Sequence, residues 1–444
     1  MHEVAPVHVW QFYLAIAMFF LSYVMIALEK INKTLVVLFG ASFIVLFHVL
    51  PSEVALRAID LNVIFLLISV MIIVHILAES GFFQWLAINV FHLSRGKPIV
   101  VMILLSLATA VTSAFLDNVT TVLLMAPVTI VLVQYLELDP VPFLISEIIS
   151  SNIGGTATLI GDPPNILIGL QAHLAFNDFI FNLMPVVLII EVCFIITIAL
   201  VFKKSFSITQ DVTARIAELD AREAIKDKGM LIKGLVVLGC VIVALMFHSA
   251  LHIDISMVAL CGATVLMIIT KYNPEKAFRG GVEWATIFFF IGLFILVDGL
   301  VYVGAIKILA SHMLSLTKGN MAATTFLVLW FSAIASAIVD NIPFVATMIP
   351  LIKTIGPHIA GQMHVPVDVI IMPLWWALAL GACLGGNGSL IGASANLIVA
   401  GIALKSGYKI SFVRFLKYGL PLMVQSLIIC SVYIYVRYLM VHHY

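Results

Sequence analysis

Two aspartates stand inside apolar stretches of this chain, and no other feature constrains it as strongly. One lies in Ala114-Phe115-Leu116-Asp117-Asn118-Val119-Thr120-Thr121, the other in Ala337-Ile338-Val339-Asp340-Asn341-Ile342-Pro343-Phe344. They are 223 residues apart, and the same step carries Ser113-Ala114 onto Ser336-Ala337 and Pro127 onto Pro350. A carboxyl group within a membrane segment is costly and marks a substrate or ion path by default. Two at equivalent places indicate a duplicated unit of the kind used by transporters.

The membrane setting follows from composition. Of 444 residues, 63% are hydrophobic and 10% charged, against roughly a quarter charged in soluble domains. Apolar runs long enough to cross a bilayer recur along the chain, so it is an integral, multi-pass protein in contact with lipid. The net charge of zero gives no footing for a nucleic-acid partner. The first apolar run follows a segment without Lys or Arg, so it reads as a retained helix and not a cleaved leader. The five cysteines sit singly in apolar segments, which suits buried small hydrophobes. No cofactor is expected.

Polar material concentrates between residues 203 and 233, where 12 of the 46 charged residues lie. This divides the chain into a first membrane repeat (9–202), a linker (203–232) and a second repeat (233–439), with a short surface helix expected over 213–223. In each repeat three ordinary helices lead to the Asp-Asn segment, read as a re-entrant hairpin. A Gly-interrupted segment and a last helix follow. The hairpin contributes no net crossing, so each repeat crosses five times, or seven if its legs span fully. Both counts are odd, and the second repeat is expected to be inverted. With five crossings, 18 Lys and Arg collect on the linker's side and 5 on the other. The positive-inside rule then places the linker in the cytoplasm and both termini outside a cell membrane. The fold class is an all-α polytopic membrane protein of two inverted repeats, each with scaffold helices, a re-entrant hairpin and a broken transmembrane helix.

The interrupted segments carry the remaining chemistry. The first runs Asn152-Ile153-Gly154-Gly155-Thr156-Ala157-Thr158-Leu159-Ile160-Gly161-Asp162-Pro163-Pro164-Asn165, and the second Gly385-Gly386-Asn387-Gly388-Ser389-Leu390-Ile391-Gly392-Ala393-Ser394-Ala395-Asn396. Gly and Pro at this density end a helix. Unwound backbone at membrane depth survives only against protein or a wet cavity. Its freed carbonyls and half-helix termini can hold ions. Two half-sites are therefore expected. One joins Asp117, Asn118 and Thr120 to Asn152, Gly155, Thr156, Thr158, Asp162 and Asn165. The other joins Asp340 and Asn341 to Gly386, Asn387, Ser389, Ser394 and Asn396. Asp117 and Asp340 are the expected proton carriers, and Asp117/Asn118 and Asp340/Asn341 the places a sodium ion would take. For any one of these residues helix packing is an equal alternative, since small and polar side chains also join helices. Asp162 faces Ala393 in the alignment, and its place before Pro163-Pro164 suits an N-cap as well as a cavity. The inferred site holds Asp117, Asp162 and Asp340 and no Lys or Arg. That balance suits a proton, a sodium ion or a neutral hydroxylated solute better than a dianion. A carboxyl withdrawn from water holds its proton more readily, which favours proton coupling.

The strings around Asp117, 152–165 and 336–343 resemble the ion transporter superfamily that includes ArsB arsenite permeases, NhaD sodium/proton antiporters, the melanosomal P protein and sodium/dicarboxylate symporters. The resemblance extends over nearly the whole chain. Where the dicarboxylate branch has Ser-Asn-Thr at its hairpin tips, this chain has Asp117-Asn118-Val119 and Asp340-Asn341-Ile342. The resemblance implies scaffold helices with two hairpins, elevator-type alternating access and a homodimer in many members. The expected activity is proton-coupled efflux of a small inorganic solute, arsenite or antimonite as a neutral hydroxide. Sodium/proton antiport, and silicic acid or anion transport or a channel of the same fold, are the alternatives. The chain has no Walker A motif, so any ATPase is a separate subunit. No hydrolase or metalloprotease motif is present.

Overall fold

The computed structural model describes residues 8–28, 30–202 and 220–440. Within them the chain is helical, and eleven helices are long and apolar enough to cross a membrane. The first half runs α1 (Val9–Leu28), α2 (Lys33–Leu46), α3 (Ser52–Ala58), α4 (Leu61–Glu79), α5 (Phe82–Ser94), α6 (Pro98–Phe115), α7 (Asn118–Tyr135), α8 (Val141–Gly155), α9 (Pro163–Ala172), α10 (Phe176–Asn182) and α11 (Met184–Phe202). The second runs α12 (Lys228–Leu251), α13 (Ile255–Thr270), α14 (Trp284–Tyr302), α15 (Ala305–Thr317), α16 (Met321–Ile338), α17 (Asn341–Met363), α18 (Val367–Gly385), α19 (Ser394–Lys405) and α20 (Phe412–Ile434). Of the surface helix expected over 213–223, residues 213–219 lie outside the described residues, and Asp220 to Ala224 lead into a turn.

The duplication extends to backbone geometry. Both ends of α4, α5 and α6 map onto those of α14, α15 and α16 with the same step of 223. The turn after α5 has φ of 52° at Arg95 and 69° at Gly96, and the turn after α15 has 52° at Lys318 and 68° at Gly319. Left-handed backbone is unfavourable for a residue with a Cβ, so its recurrence at the same two positions is a strong sign of common structure. Sequence reading overlooked α5 and α15. Each has 13 residues, about 20 Å of helix, too short to be read as a crossing. In α5 the buried residues Phe83, Ala87, Phe91 and Ser94 recur at intervals of four, four and three, the stripe of a helix lying against a core.

The halves pack by exchange. α4 packs on α13 and α14 on α2; α7 packs on α19 and α17 on α9. Each hairpin, α6–α7 or α16–α17, is thus completed by the broken helix of the other half. The hairpin legs have 18 residues or more, so length alone does not separate them from crossing helices. Burial does, since their tips at Asp117 and Asp340 are only 9% and 7% exposed. The open end of the first hairpin lies beside the end of α11 and the start of α20. There Asp139 pairs with Arg414 at 2.6 Å and Phe202 meets Tyr418. From the second hairpin, α17 runs the other way and reaches Gln171 through Lys353 at 3.1 Å, just before α10. The hairpins enter from opposite faces.

Glycine sets how closely the broken helices approach the hairpins. A Cβ on Gly154 would lie 2.1 Å from the Ala110 carbonyl oxygen, and one on Gly385 2.6 Å from that of Ala333. Gly154→Ala and Gly385→Ala are each expected to cost about 1–3 kcal/mol through overpacking. Gly401, with nothing within 4 Å, should tolerate alanine with no loss. Thermal melts of the three purified variants check this, and equal melting points would contradict the packing argument.

Candidate functional site

The end of every broken helix leaves carbonyls without partners, and here one asparagine closes each break. Asn165 donates Nδ2 to the carbonyls of Thr156 and Thr158 at 3.1 and 2.9 Å. Asn396 does the same to Gly386 and Ser389, both at 2.8 Å. The two breaks then meet through Asn152, whose Nδ2 donates to Asn387 Oδ1 at 2.9 Å and Asn396 Oδ1 at 3.1 Å. Across the pseudo-symmetry Cys383 stands where Asn152 does, and its thiol lies 3.5 Å from Asn165 Oδ1. All of these side chains are fully buried. They hold the unwound segments together.

Each hairpin tip is capped by its own aspartate. Asp117 Oδ2 accepts from the Thr120 N–H and hydroxyl at 2.9 and 2.8 Å, and Asp340 accepts from the Ile342 N–H. This is N-capping at the start of α7 and α17. Each tip is stitched to its broken helix as well. Ser113 donates to the Ser151 carbonyl at 2.7 Å and Ser336 to that of Ala382 at 2.7 Å. Thr158 donates to the Ala114 carbonyl and Ser389 to that of Ala337. Of the expected ligands, Gly155, Thr156, Thr158, Asn165, Gly386, Asn387, Ser389 and Asn396 therefore close the backbone. Gly155 packs on the Gly161 carbonyl.

A cavity of about 350 Å³ separates the tips. Its polar lining includes Asp117, Asp340, Ser394, Glu283 and Lys33, and its mouth lies at the α1–α2 turn, where Ile31 and Asn32 are exposed. Lys33 corrects the expectation of a site without fixed positive charge. Its Nζ lies 2.5 Å from Asp340 Oδ2 and 2.6 Å from the Ser394 hydroxyl, which itself donates to Asp340 at 2.6 Å. The ammonium also sits 5.0 Å from the Phe289 ring centre. In the sequence Lys33 reads as one of the loop bases of the linker's face. The overlooked signal is the brevity of α2, whose 14 residues span about 21 Å, short of a hydrocarbon core of about 30 Å. Tyr23 of α1 adds a second tie to the same tip, donating to the Pro343 carbonyl and meeting Thr347 Oγ1 at 2.7 Å.

Among the described residues the first tip has no such partner. Position 256, equivalent to Lys33, is a serine bonded to Asn62 at 2.9 Å. Asp117 instead faces Glu283, which holds the N-cap position of α14 without a backbone capping bond and accepts from the Thr286 hydroxyl at 3.1 Å. Burial and then the Asp117 charge push the Glu283 carboxyl above its usual range, opposed by the Thr286 hydroxyl and Lys33. Polar atoms close to the tips find no partner, among them Asn118 Oδ1, Asn341 Nδ2 and Asp162 Oδ2. Asp162 holds the N-cap position of α9 without making a capping bond. It is 1% exposed, with Cys383 and Asn341 beside it and both tip aspartates in its electrostatic surroundings. Its capping role is thus set aside by the geometry. Among the described residues no His, Cys, Asp and Glu group is arranged to hold a metal ion.

Removing one member of a buried ion pair strands the other. Lys33→Gln and Asp340→Asn should each cost about 2 kcal/mol of stability, and the double variant should regain more than half of the loss. Thermal melts in detergent decide it, and strictly additive losses would mean the two groups do not pair.

The CitMHS family, described as citrate transporter, matches residues 23–381. An uncharacterized transporter of Mycobacterium bovis is 43% identical over 433 residues, covering 97% of this chain and 99% of its own. The P protein of Sus scrofa is 35% identical over 498 residues; the match covers 94% of this chain and 58% of the P protein. Among solved structures, the YdaH transporter of Alcanivorax borkumensis superimposes with a TM-score of 0.60 at 13% identity, covering 96% and 97% of the two chains.

Proposed function

Because this chain belongs to the CitMHS family of transporters, we propose that it is a proton-coupled secondary transporter whose cargo enters the cavity between the hairpin tips. The observation that carries this reading is the placing of Asp117 and Asp340 on one cavity from opposite hairpins. A group that alternates between proton and cargo must reach both faces in turn. Two tips entering from opposite faces supply that access when the hairpins and broken helices move as a body against the scaffold, the elevator form of alternating access.

Charge narrows the cargo. The cavity wall bears three carboxyl groups, Asp117, Glu283 and Asp340, and one ammonium, Lys33. Desolvating a citrate-like anion beside that excess of acid is unfavourable. A neutral hydroxide such as arsenous or antimonous acid suits the wall better, with Ser394 as a hydrogen-bonding partner on it and the unpartnered Asn118 Oδ1 and Asn341 Nδ2 beside the tips. Asp117 and Asp340 take the protons that drive efflux. A second reading, sodium/proton exchange, is favoured by Lys33 itself. Its ammonium, held by Asp340 and Ser394, occupies the place where a monovalent cation would be liganded by the same oxygens.

Liposomes containing the protein and a pH-sensitive dye, challenged in turn with arsenite, antimonite, sodium, silicic acid and citrate, test the proposal. Proton movement driven by arsenite or antimonite is expected. Asp117→Asn and the stabilised Lys33→Gln/Asp340→Asn pair should abolish it while still melting cooperatively. A signal with citrate alone would overturn the neutral-solute reading, and a sodium signal alone would select the second.

We place the linker in the cytoplasm, with both termini outside the cell membrane, on the distribution of Lys and Arg. A cysteine at Lys409, in a background lacking Cys193, Cys240 and Cys261, should react with an impermeant maleimide only from the cytoplasmic side. Reaction from outside reverses the orientation.

A further inference from the structure

Four polar side chains of the first half have apolar or absent side chains at the equivalent places in the second. They are Thr129 of α7, Glu147 and Ser150 of α8, and Glu191 of α11. In the second half Ile352, Leu378, Gly381 and Leu427 stand there, by the same steps that align the hairpins, the broken helices and the closing Met184-Pro185 with Leu420-Pro421. In the first half the four form two pairs. Thr129 donates to Glu147 Oε1 at 2.6 Å, and Ser150 donates to Glu191 Oε1 at 2.8 Å. Glu147 and Glu191 are 1% and 6% exposed. The second carboxyl oxygen of each, Oε2, has no partner.

The unpaired oxygens identify the ligand. A buried carboxylate with one hydroxyl partner and no counter-ion is strongly disfavoured, whereas a carboxylic acid needs only a proton on its free oxygen. Among the described residues the surroundings supply no cation that bonds either group. α6 has no titratable side chain. Asp178 of α10 accepts from the Ala175 N–H, and Cys383 of α18 faces Asn165. Lys405 of α19 is exposed, and Lys417 and Tyr418 of α20 line a neighbouring cavity. That cavity, about 300 Å³, lies between α8, α11 and α20. It touches Ser146 and Ile149 beside Glu147 and Ser150, and Phe194 and Thr197 on the turns after Glu191. It reaches the linker-side end of α11 at Phe202.

Folding does not require this arrangement, because the second half builds the same helices with apolar side chains in the same places. From that comparison and the geometry we propose that Glu147 and Glu191 form a second proton-binding site, separate from the hairpin tips. Each is a carboxylic acid that gives its proton to water in the α8–α11–α20 cavity and takes it back during the cycle. The site joins a hairpin leg, a broken helix and the last helix of the first half, so its protonation sets how these three fit together. The inference deepens the proton-coupled reading and rests on it for the site's part in transport.

The test needs no solute. Infrared difference spectra of the purified full chain, recorded between two pH values, should contain carbonyl bands of protonated carboxylic acids. One band should vanish in Glu147→Gln and another in Glu191→Gln. Where a glutamine variant fails to fold, Glu147→Leu and Glu191→Leu, which copy the second half's residues, replace it. In liposomes the double variant should move fewer protons per solute and show a displaced pH profile. The proposal is overturned if the bands are unchanged in the variants or do not respond to pH. It is also overturned if the double variant keeps the wild-type proton count and pH profile and differs only in melting point. Failure of wild-type protein to move protons with any solute would instead remove the coupling reading, a result the solute-free spectra distinguish.

Discussion

The structure depends on one constraint, that backbone broken inside an apolar body must find partners within the protein. Two broken helices create two sets of orphan carbonyls at the same depth. Asn165 and Asn396 satisfy those sets, and Asn152 ties the two breaks to one another. Both hairpins and the cavity are arranged around that junction. The hairpin tips are stitched to it by Ser113 and Ser336, and the cavity is the space left between them. Gly154 and Gly385 are small because the hairpin backbone passes where a side chain would be.

Symmetry gives the frame, and the departures from it give the chemistry. Asp340 is ion-paired with Lys33, whereas the equivalent aspartate faces another acid, Glu283. Asp162 has no acidic counterpart, since Ala393 stands there, and its Oδ2 is left without a partner. An exact duplicate would hold the same charge at both tips and would have no reason to prefer one orientation. Lys33 belongs to α2 and Tyr23 to α1, while the groups they hold belong to the second hairpin and broken helix. Motion of that hairpin against the first two helices must therefore break or carry these bonds.

Much of this was legible beforehand because its cause is local. Asp117 and Asp340 announce themselves as charges in apolar runs, and the Gly-rich strings announce the breaks. The residues expected as ligands at 155, 156, 158, 165, 386, 387, 389 and 396 lie at the two breaks, where they bond or pack on the unwound backbone. Hydroxyl and amide groups near unwound backbone close that backbone first, because an unpaired buried carbonyl costs more than a vacant solute site. Which of two polar tasks a side chain performs depends on partners distant in the chain, and one sequence does not reveal them.

Sequence by itself determined the membrane setting, the duplication, the odd parity of each half and the two aspartates, since each follows from residue type and spacing along the chain. Tertiary structure alone decided that the halves exchange helices, that both tips face one cavity and that Lys33 reaches Asp340 across 307 positions. It also decided that Asp162 caps nothing. The physical reason is the same in each case. A lysine whose ammonium reaches the far hairpin, and a carboxyl whose partner comes from the other half, are properties of distance in space, which a periodic apolar sequence leaves unspecified.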